Sequence, residues 1–302
     1  MLRLLAFAEP NWQQKNQHES EHQLTSAAAD RLDEFFRAFK GTARPCLMLD
    51  YDGTLAPFRV DRFRAWPWAG VRELLAQIQN QGRTRIVVVT GRPAEEIPPL
   101  LDVEPVPEVW GLHGAERLHP DGRRELEKIP VEAIAALNAL RACLRRDTPG
   151  GLIEVKPNAI AMHWRGAPRG KAATIEKRTR ALFEPVAQMN GMTLLAFEAG
   201  LELRAGRDKG EAVKMLLDRT DCGGQNPIAY LGDDLTDEAA FRAIKGRGLS
   251  VLVRREWRET CADIWLRPPG ELRDFLKRWM HASSHLQSNV YDPLLDCRGI
   301  PR

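Results

Sequence analysis

The run Arg85-Ile86-Val87-Val88-Val89-Thr90 is near-continuous in β-branched residues. Such a run suits a strand covered on both faces, as in a parallel sheet packed between helices. Leu47-Met48-Leu49 is a second short apolar run; it ends at Asp50, with Asp52 two residues on and Gly53 turning the chain. A third, Ile228-Ala229-Tyr230-Leu231-Gly232, leads into Asp233-Asp234. Ligands of open parallel sheets bind beyond the carboxyl ends of the strands, so these acids and Thr90 are expected at the mouth of one crevice. Two carboxylates there can hold a hard cation through oxygen, and one can attack a substrate as a nucleophile. Asp-Gly turns and helix caps account for the same residues without chemistry.

Helical spacing of Val71, Leu74, Leu75 and Ile78 predicts a helix from about Ala69 to Gln81. Lys209-Gly210 opens another, Val109 to His113 and Leu249 to Val253 read as strands, and Gly270 to Met280 as a closing helix. Between these lies a different pattern. A helix from Val131 to Arg146 precedes alternating strands, Gly151 to Lys156 and Ala159 to Arg165, joined across Pro157-Asn158. A helix from Lys171 to Met189 precedes a second hairpin, Met192 to Glu198 and Leu201 to Arg204. The expected fold is therefore α/β: a Rossmann-like parallel-sheet core with an inserted α+β cap in which helix-strand-strand occurs twice. The expected divisions are an N-terminal extension (1–44) with one helix from Ser26, core segments at 45–117 and 206–282, a cap at 118–205, and a tail at 283–302. In the first helix Leu32, Phe35, Phe36 and Phe39 are expected on one face.

Lys plus Arg number 44 and Asp plus Glu 41, so a net charge of +3 makes no case for nucleic acid. No apolar run approaches the roughly 20 residues needed to cross a bilayer. The opening Met1 to Ala8 is too short for a secretory signal. Five scattered cysteines lack paired-ligand spacing, which points to thiols in a reducing, cytoplasmic setting and away from zinc.

Lys209 stands where a helix dipole disfavours a cation unless an anion is at hand. Each strand-end residue has a plain structural explanation; together they supply a carboxylate nucleophile, a metal cluster, a hydroxyl and a cation for a phosphoryl oxygen. Asp50-Tyr51-Asp52-Gly53-Thr54, Thr90-Gly91-Arg92, Lys209-Gly210 and Gly232-Asp233-Asp234-Leu235-Thr236-Asp237-Glu238 resemble the four motifs of haloacid-dehalogenase-like phosphatases. Within them the chain most resembles the trehalose-6-phosphate phosphatases, through Gly111-Leu112-His113-Gly114-Ala115-Glu116, Glu154-Val155-Lys156, Ala161-Met162-His163-Trp164-Arg165 and Gly200-Leu201-Glu202-Leu203-Arg204.

The resemblance covers about residues 45 to 280 and implies a magnesium-dependent reaction. Asp50 would attack phosphorus, Asp52 would act as acid and base, and Thr90 and Lys209 would hold phosphoryl oxygens. Magnesium would sit on Asp50, the backbone carbonyl of Asp52, and Asp233 or Asp234, with Asp237 nearby. Gly91, Arg92, His113, Glu116, Glu154, Lys156 and Glu202 would bind the sugar phosphate. Strand alternation sets Glu154 and Lys156 on one side and Ile153 and Val155 on the other, facing the helices. The competing expectations are a phosphatase of another sugar phosphate, such as a sucrose or glucosylglycerol phosphate, and a non-catalytic subunit that binds sugar phosphate and regulates a synthase.

Overall fold

The computed structural model describes residues 26–39, 44–147, 152–156, 158–197, 199–219 and 226–284. Expectations about residues 1–25, the Pro157 turn, Glu198 and the tail beyond 284 lie outside them. The strands of the core are β1 (Cys46–Leu49), β2 (Arg85–Val89), β3 (Glu108–Gly111), β4 (Glu116–Leu118), β5 (Arg124–Leu126), β10 (Ile228–Gly232), β11 (Leu249–Val253) and β12 (Ile264–Leu266). They form one sheet in the order β12-β11-β10-β1-β2-β3-β4-β5, parallel from β12 to β3 and antiparallel from β3 to β5.

Successive residues of β1 serve opposite layers, as strand alternation demands. Leu47 and Leu49 pack with α2 (Val71–Asn80) and α8 (Gly270–Ser284). Cys46 and Met48 pack with α6 (Lys209–Arg219) and α7 (Glu238–Ile244). The helix α1 at residues 26–37 joins the first layer, where Phe35, Phe36 and Phe39 surround fully buried Trp279 at ring separations of 5.9, 6.5 and 5.0 Å. Aromatic pairs of this kind add about 0.5–1.5 kcal/mol beyond their buried area.

The third strand stops at Gly111, two residues before the sequence pattern predicts. His113 adopts φ 59°, and a left-handed residue cannot continue a strand. The segment Glu116 to Leu126 then adds β4 and β5 to the core sheet, so Leu118 pairs with Val109 and belongs to the core.

The inserted sheet begins after α4 (Val131–Asp147), the helix that follows the short core helix α3 (Ile97–Leu101). It comprises β6 (Ile153–Lys156), β7 (Ala159–His163), β9 (Gly200–Ala205) and β8 (Met192–Phe197) in that spatial order, all antiparallel. The helices α4 and α5 (Arg169–Ala187) cover β7, β8 and β9 and bury Ile160, Met162, Leu201 and Leu203. Val155 departs from the alternation argument. It lies on edge strand β6, beyond this cover, is 45% exposed and lines the crevice facing the core. On the sheet's charged face, Glu154 and Glu202 flank Ala161, while Lys156 and Arg204 flank Ala159 one rung along.

Candidate active site

Asp50 follows β1 directly, and its backbone N–H donates to Leu231 O at 2.8 Å, tying the turn to β10. Its carboxylate is buried. Oδ1 accepts from Lys209 Nζ at 2.6 Å and Oδ2 from Thr54 Oγ1 at 3.2 Å. Lys209 also donates to Asp237 Oδ1 at 2.7 Å. Burial works against this ammonium, but Asp237 and Asp50 outweigh it and keep Lys209 charged. The cation at the start of α6 thus serves two acids.

The carboxylates of Asp50, Asp233 and Asp237 bring oxygens within 4.8 Å of one another. Asp237 is already saturated. Tyr230 O–H donates to Oδ1 at 2.6 Å, and the backbone N–H groups of Asp233 and Asp234 both donate to Oδ2 at 3.0 Å. Asp234 turns its own carboxylate to the Leu235 N–H at 2.7 Å. Within the trio, Asp237 carries two bonds on each oxygen and Asp50 one on each, while Asp233 faces the space beside Gly53, so Asp50 and Asp233 keep donor capacity for a cation. Gly53, at φ 86°, leaves the space: a Cβ there would fall 2.0 Å from Asp233 Oδ2.

Burial, opposed by Lys209 and reinforced by Asp237, pushes the Asp50 carboxyl up to about 7. Burial and the charges of Asp50 and Asp237 push Asp233 well above the carboxylate range. Buried acids so short of positive charge, offering hard oxygen donors, fit a divalent ion such as magnesium.

Asp52 is held differently. Arg92 Nε donates to its Oδ2 at 2.6 Å and Nη2 to its Oδ1 at 2.7 Å. Arg92 Nη1 donates to the Arg62 carbonyl at 2.7 Å, and Arg62 Nη2 grips Glu96 Oε1 and Oε2 at 2.7 and 2.6 Å. Arg62 Nη1 then lies 3.8 Å from Glu154 Oε1 of the inserted sheet. Thr90 is buried at the end of β2, its Oγ1 accepting from the Arg92 N–H at 3.2 Å. Gly91 accommodates His113, whose Nε2 would lie 2.5 Å from a Cβ there. Burial and nearby Arg204 hold the His113 imidazole well below its usual pKa, so it is neutral.

Opposite stand the cap residues. Lys156 Nζ donates to Glu202 Oε2 at 2.8 Å, and Arg204 donates to Glu202 Oε1. Burial pushes the Glu202 carboxyl up, but Arg204 and Lys156 overcome it and keep the acid ionised. Glu154 pairs with His163 Nε2 at 3.2 Å, which lowers its pKa. Glu154, Lys156, His163 and Glu202 line one cavity of about 690 Å³ with Asp50, Asp52, Thr90, Gly91, Arg92, His113, Lys209, Asp233 and Asp234. Glu116 is not in that lining: it accepts the Ala94 N–H at 2.7 Å and pairs with Arg124, bracing the turn after β2 against β5. Arg62, Glu96, Phe58 and Phe197 join the lining without having been singled out. The only signal for Arg62 was the arginine-rich stretch from Phe58 to Trp68.

A parallel-sheet core with these strand-end residues beneath an inserted α+β cap is the haloacid-dehalogenase-like fold. Chains that share it include a haloacid dehalogenase-like hydrolase from Bacteroides thetaiotaomicron, at TM-score 0.55, 19% identity, 78% of this chain and 99% of that one. The sequence matches the trehalose-phosphatase family over residues 48–260, and the chain belongs to that family. A trehalose-phosphate phosphatase of Mycobacterium marinum is 30% identical over 247 residues, 78% of this chain and 61% of that protein. The chain therefore spans less than two thirds of that curated relative. The C-terminal domain of Candida albicans trehalose-6-phosphate phosphatase shares the fold at TM-score 0.68 and 22% identity, over 85% of this chain and 97% of that domain.

Proposed function

We propose that the chain hydrolyses trehalose 6-phosphate to trehalose and phosphate through an aspartyl-phosphate on Asp50. The observation that carries this reading is the buried Asp50 carboxylate, paired with Lys209 at 2.6 Å on the floor of a cavity roofed by Glu154, Lys156 and Glu202. A magnesium ion held by Asp50, Asp233 and the Asp52 carbonyl would neutralise charge at the phosphoryl group. An oxygen of Asp50 attacks phosphorus while Lys209 Nζ and Thr90 Oγ1 hold phosphoryl oxygens. Asp52 gives a proton to the departing sugar oxygen, then takes one from the water that cleaves the acyl phosphate. Asp237 and Tyr230 touch no substrate in this scheme; they fix Lys209 and the Asp233 turn.

The polar cap face gives the sugar hydroxyls charged partners, with His113 a neutral one beside them. The insertion that carries it is assigned to residues 127–207, as the lid of the site. Among the described residues, no helix is long and apolar enough to cross a membrane. The thiols of Cys143 and Cys261 are free, which supports a reducing, cytoplasmic setting.

Assays on trehalose 6-phosphate, sucrose 6-phosphate and glucosylglycerol phosphate test the substrate, and Asp50→Asn tests the nucleophile. Turnover is expected on the first substrate, with a loss of at least about 1,000-fold in the variant, since an amide neither attacks phosphorus nor carries the metal's charge. Turnover of the variant within tenfold of wild type would remove Asp50 from the chemistry. EDTA should stop the reaction and magnesium restore it.

A further inference from the structure

A second cavity, of about 460 Å³, has Gly53 and Asp233 in its lining. It shares Phe58, Arg59, Arg165, Arg254 and Asp233 with the first, so the two adjoin at these residues. Its lining carries four arginines, with Arg255 the fourth, against two acids, Asp233 and Glu256. The arginines come from separate parts of the chain: the loop after β1, the segment after β7, and the end of β11. Their convergence is a product of the fold and not of a basic run.

Arg255 is the one that belongs to this second cavity alone. Its guanidinium lies 5.6 Å from the centre of the Trp68 ring. Trp68 is itself fixed by an indole N–H bond to Thr54 O at 3.2 Å. A cation–π contact of this kind uses none of the guanidinium N–H donors as a hydrogen bond to a carboxylate would, so they stay available to an acceptor. Among the described residues, no carboxylate lies within ion-pairing distance of Arg59 or Arg255. Guanidinium donors gathered in a concave site suit oxyanions, phosphate among them.

We propose that this cavity is a second oxyanion site that takes inorganic phosphate, on the path by which phosphate leaves the Asp50 centre. The inference rests on the phosphatase reading for the source of the phosphate, though not for its binding. The arginine cavity meets the catalytic one at Asp233, beside the proposed metal ligands, and at Arg165 of the insertion. Phosphate released at Asp50 and Lys209 thus has a cationic cavity next to it.

Equilibrium dialysis with labelled inorganic phosphate, on magnesium-loaded full-length protein, tests this independently of turnover. Wild type is expected to bind two phosphates per chain. Arg255→Glu should retain one and weaken the other at least tenfold, and Arg255→Lys should keep both. Arg255 is exposed, so these variants are expected to fold, which circular dichroism checks. Lys209→Ala should lose the catalytic phosphate and keep the second. A single phosphate in wild type that survives Arg255→Glu would overturn the proposal, as would no phosphate at all, or two that Arg255→Glu leaves unchanged. A single phosphate lost in Arg255→Glu but kept in Lys209→Ala would support the second site while counting against the phosphatase reading.

Discussion

Arg92 holds both carboxylate oxygens of Asp52, at 2.6 and 2.7 Å, across 40 residues of sequence. This paired grip orients the proposed acid, because a guanidinium fork fixes the plane of a carboxylate as a single ammonium cannot.

Arg92→Lys should therefore cost most where the leaving group needs a proton. A positioned general acid contributes roughly 10²–10⁴-fold, and losing its orientation should remove about 10–100-fold of kcat on the sugar phosphate. Para-nitrophenolate leaves without protonation, so turnover of its phosphate should fall less than about threefold. Equal losses on both substrates would make Arg92 a phosphate or structural contact instead.

Glu154 and Glu202 should separate under substitution. Glu154 is 38% exposed at its side chain, so Glu154→Ala should leave stability near wild type. Removal of one or two charge-assisted bonds to the sugar would lower kcat/KM by roughly 10- to 150-fold. Para-nitrophenyl phosphate should be hydrolysed as before. Glu202→Ala strands Arg204, which is 1% exposed, and should also lower the melting temperature. Unchanged kinetics for Glu154→Ala with both substrates would make it part of a merely solvated face.

Lys209→Met tests the charge balance of the floor. It leaves Asp50 and Asp237 buried without their cation, which should cost about 3–5 kcal/mol in metal-free protein. Magnesium then becomes the main positive charge at the site, so the rise in Tm on adding it should exceed that of wild type. A smaller rise would place the ion elsewhere.

Glu108 gives a pH test away from the chemistry. Burial raises its pKa, but Arg85 and Arg117, at 2.7 and 2.6 Å, overcome this and lower the carboxyl from 4.5 to about 2. A depressed carboxyl stabilises the fold above its unfolded pKa and loses that contribution as acid reaches the folded value. The advantage of wild type over Glu108→Gln, roughly 3 kcal/mol near neutrality, should narrow as pH falls from about 4.5 toward about 2. Denaturant unfolding across that range measures it; a gap that stays constant would sever the link to ionisation.

The parallel strands β1, β2 and β10 were legible because each carries an unbroken apolar run whose end meets polar residues. β4, β5 and β12 were not: each has three residues. Pairing with a neighbouring strand supports them, and local pattern does not record pairing. The strand-end acids could be read from Asp50, Asp52 and Asp233 because topology carries such residues to one crevice. What Asp237 and Asp234 each do could not, because the difference lies in which backbone N–H groups their oxygens accept. Arg62 and Glu96 meet across 34 residues, and an ion pair that distant leaves no mark on composition or periodicity.

Glu127 and Arg207 close the two crossings between core and insertion. The Arg207 N–H donates to Glu127 Oε2 at 2.9 Å, while the Glu127 N–H donates to Ala115 O at 2.8 Å. The chain thus leaves the core and re-enters it at nearly one point. A module with coincident ends is interchangeable: a tight turn could replace it, or a sheet of another charge pattern be grafted in, while the strand order beneath stays the same. Under the proposed reaction, exchange of that module alone would change which alcohol is accepted and leave the residues around Asp50 as they are.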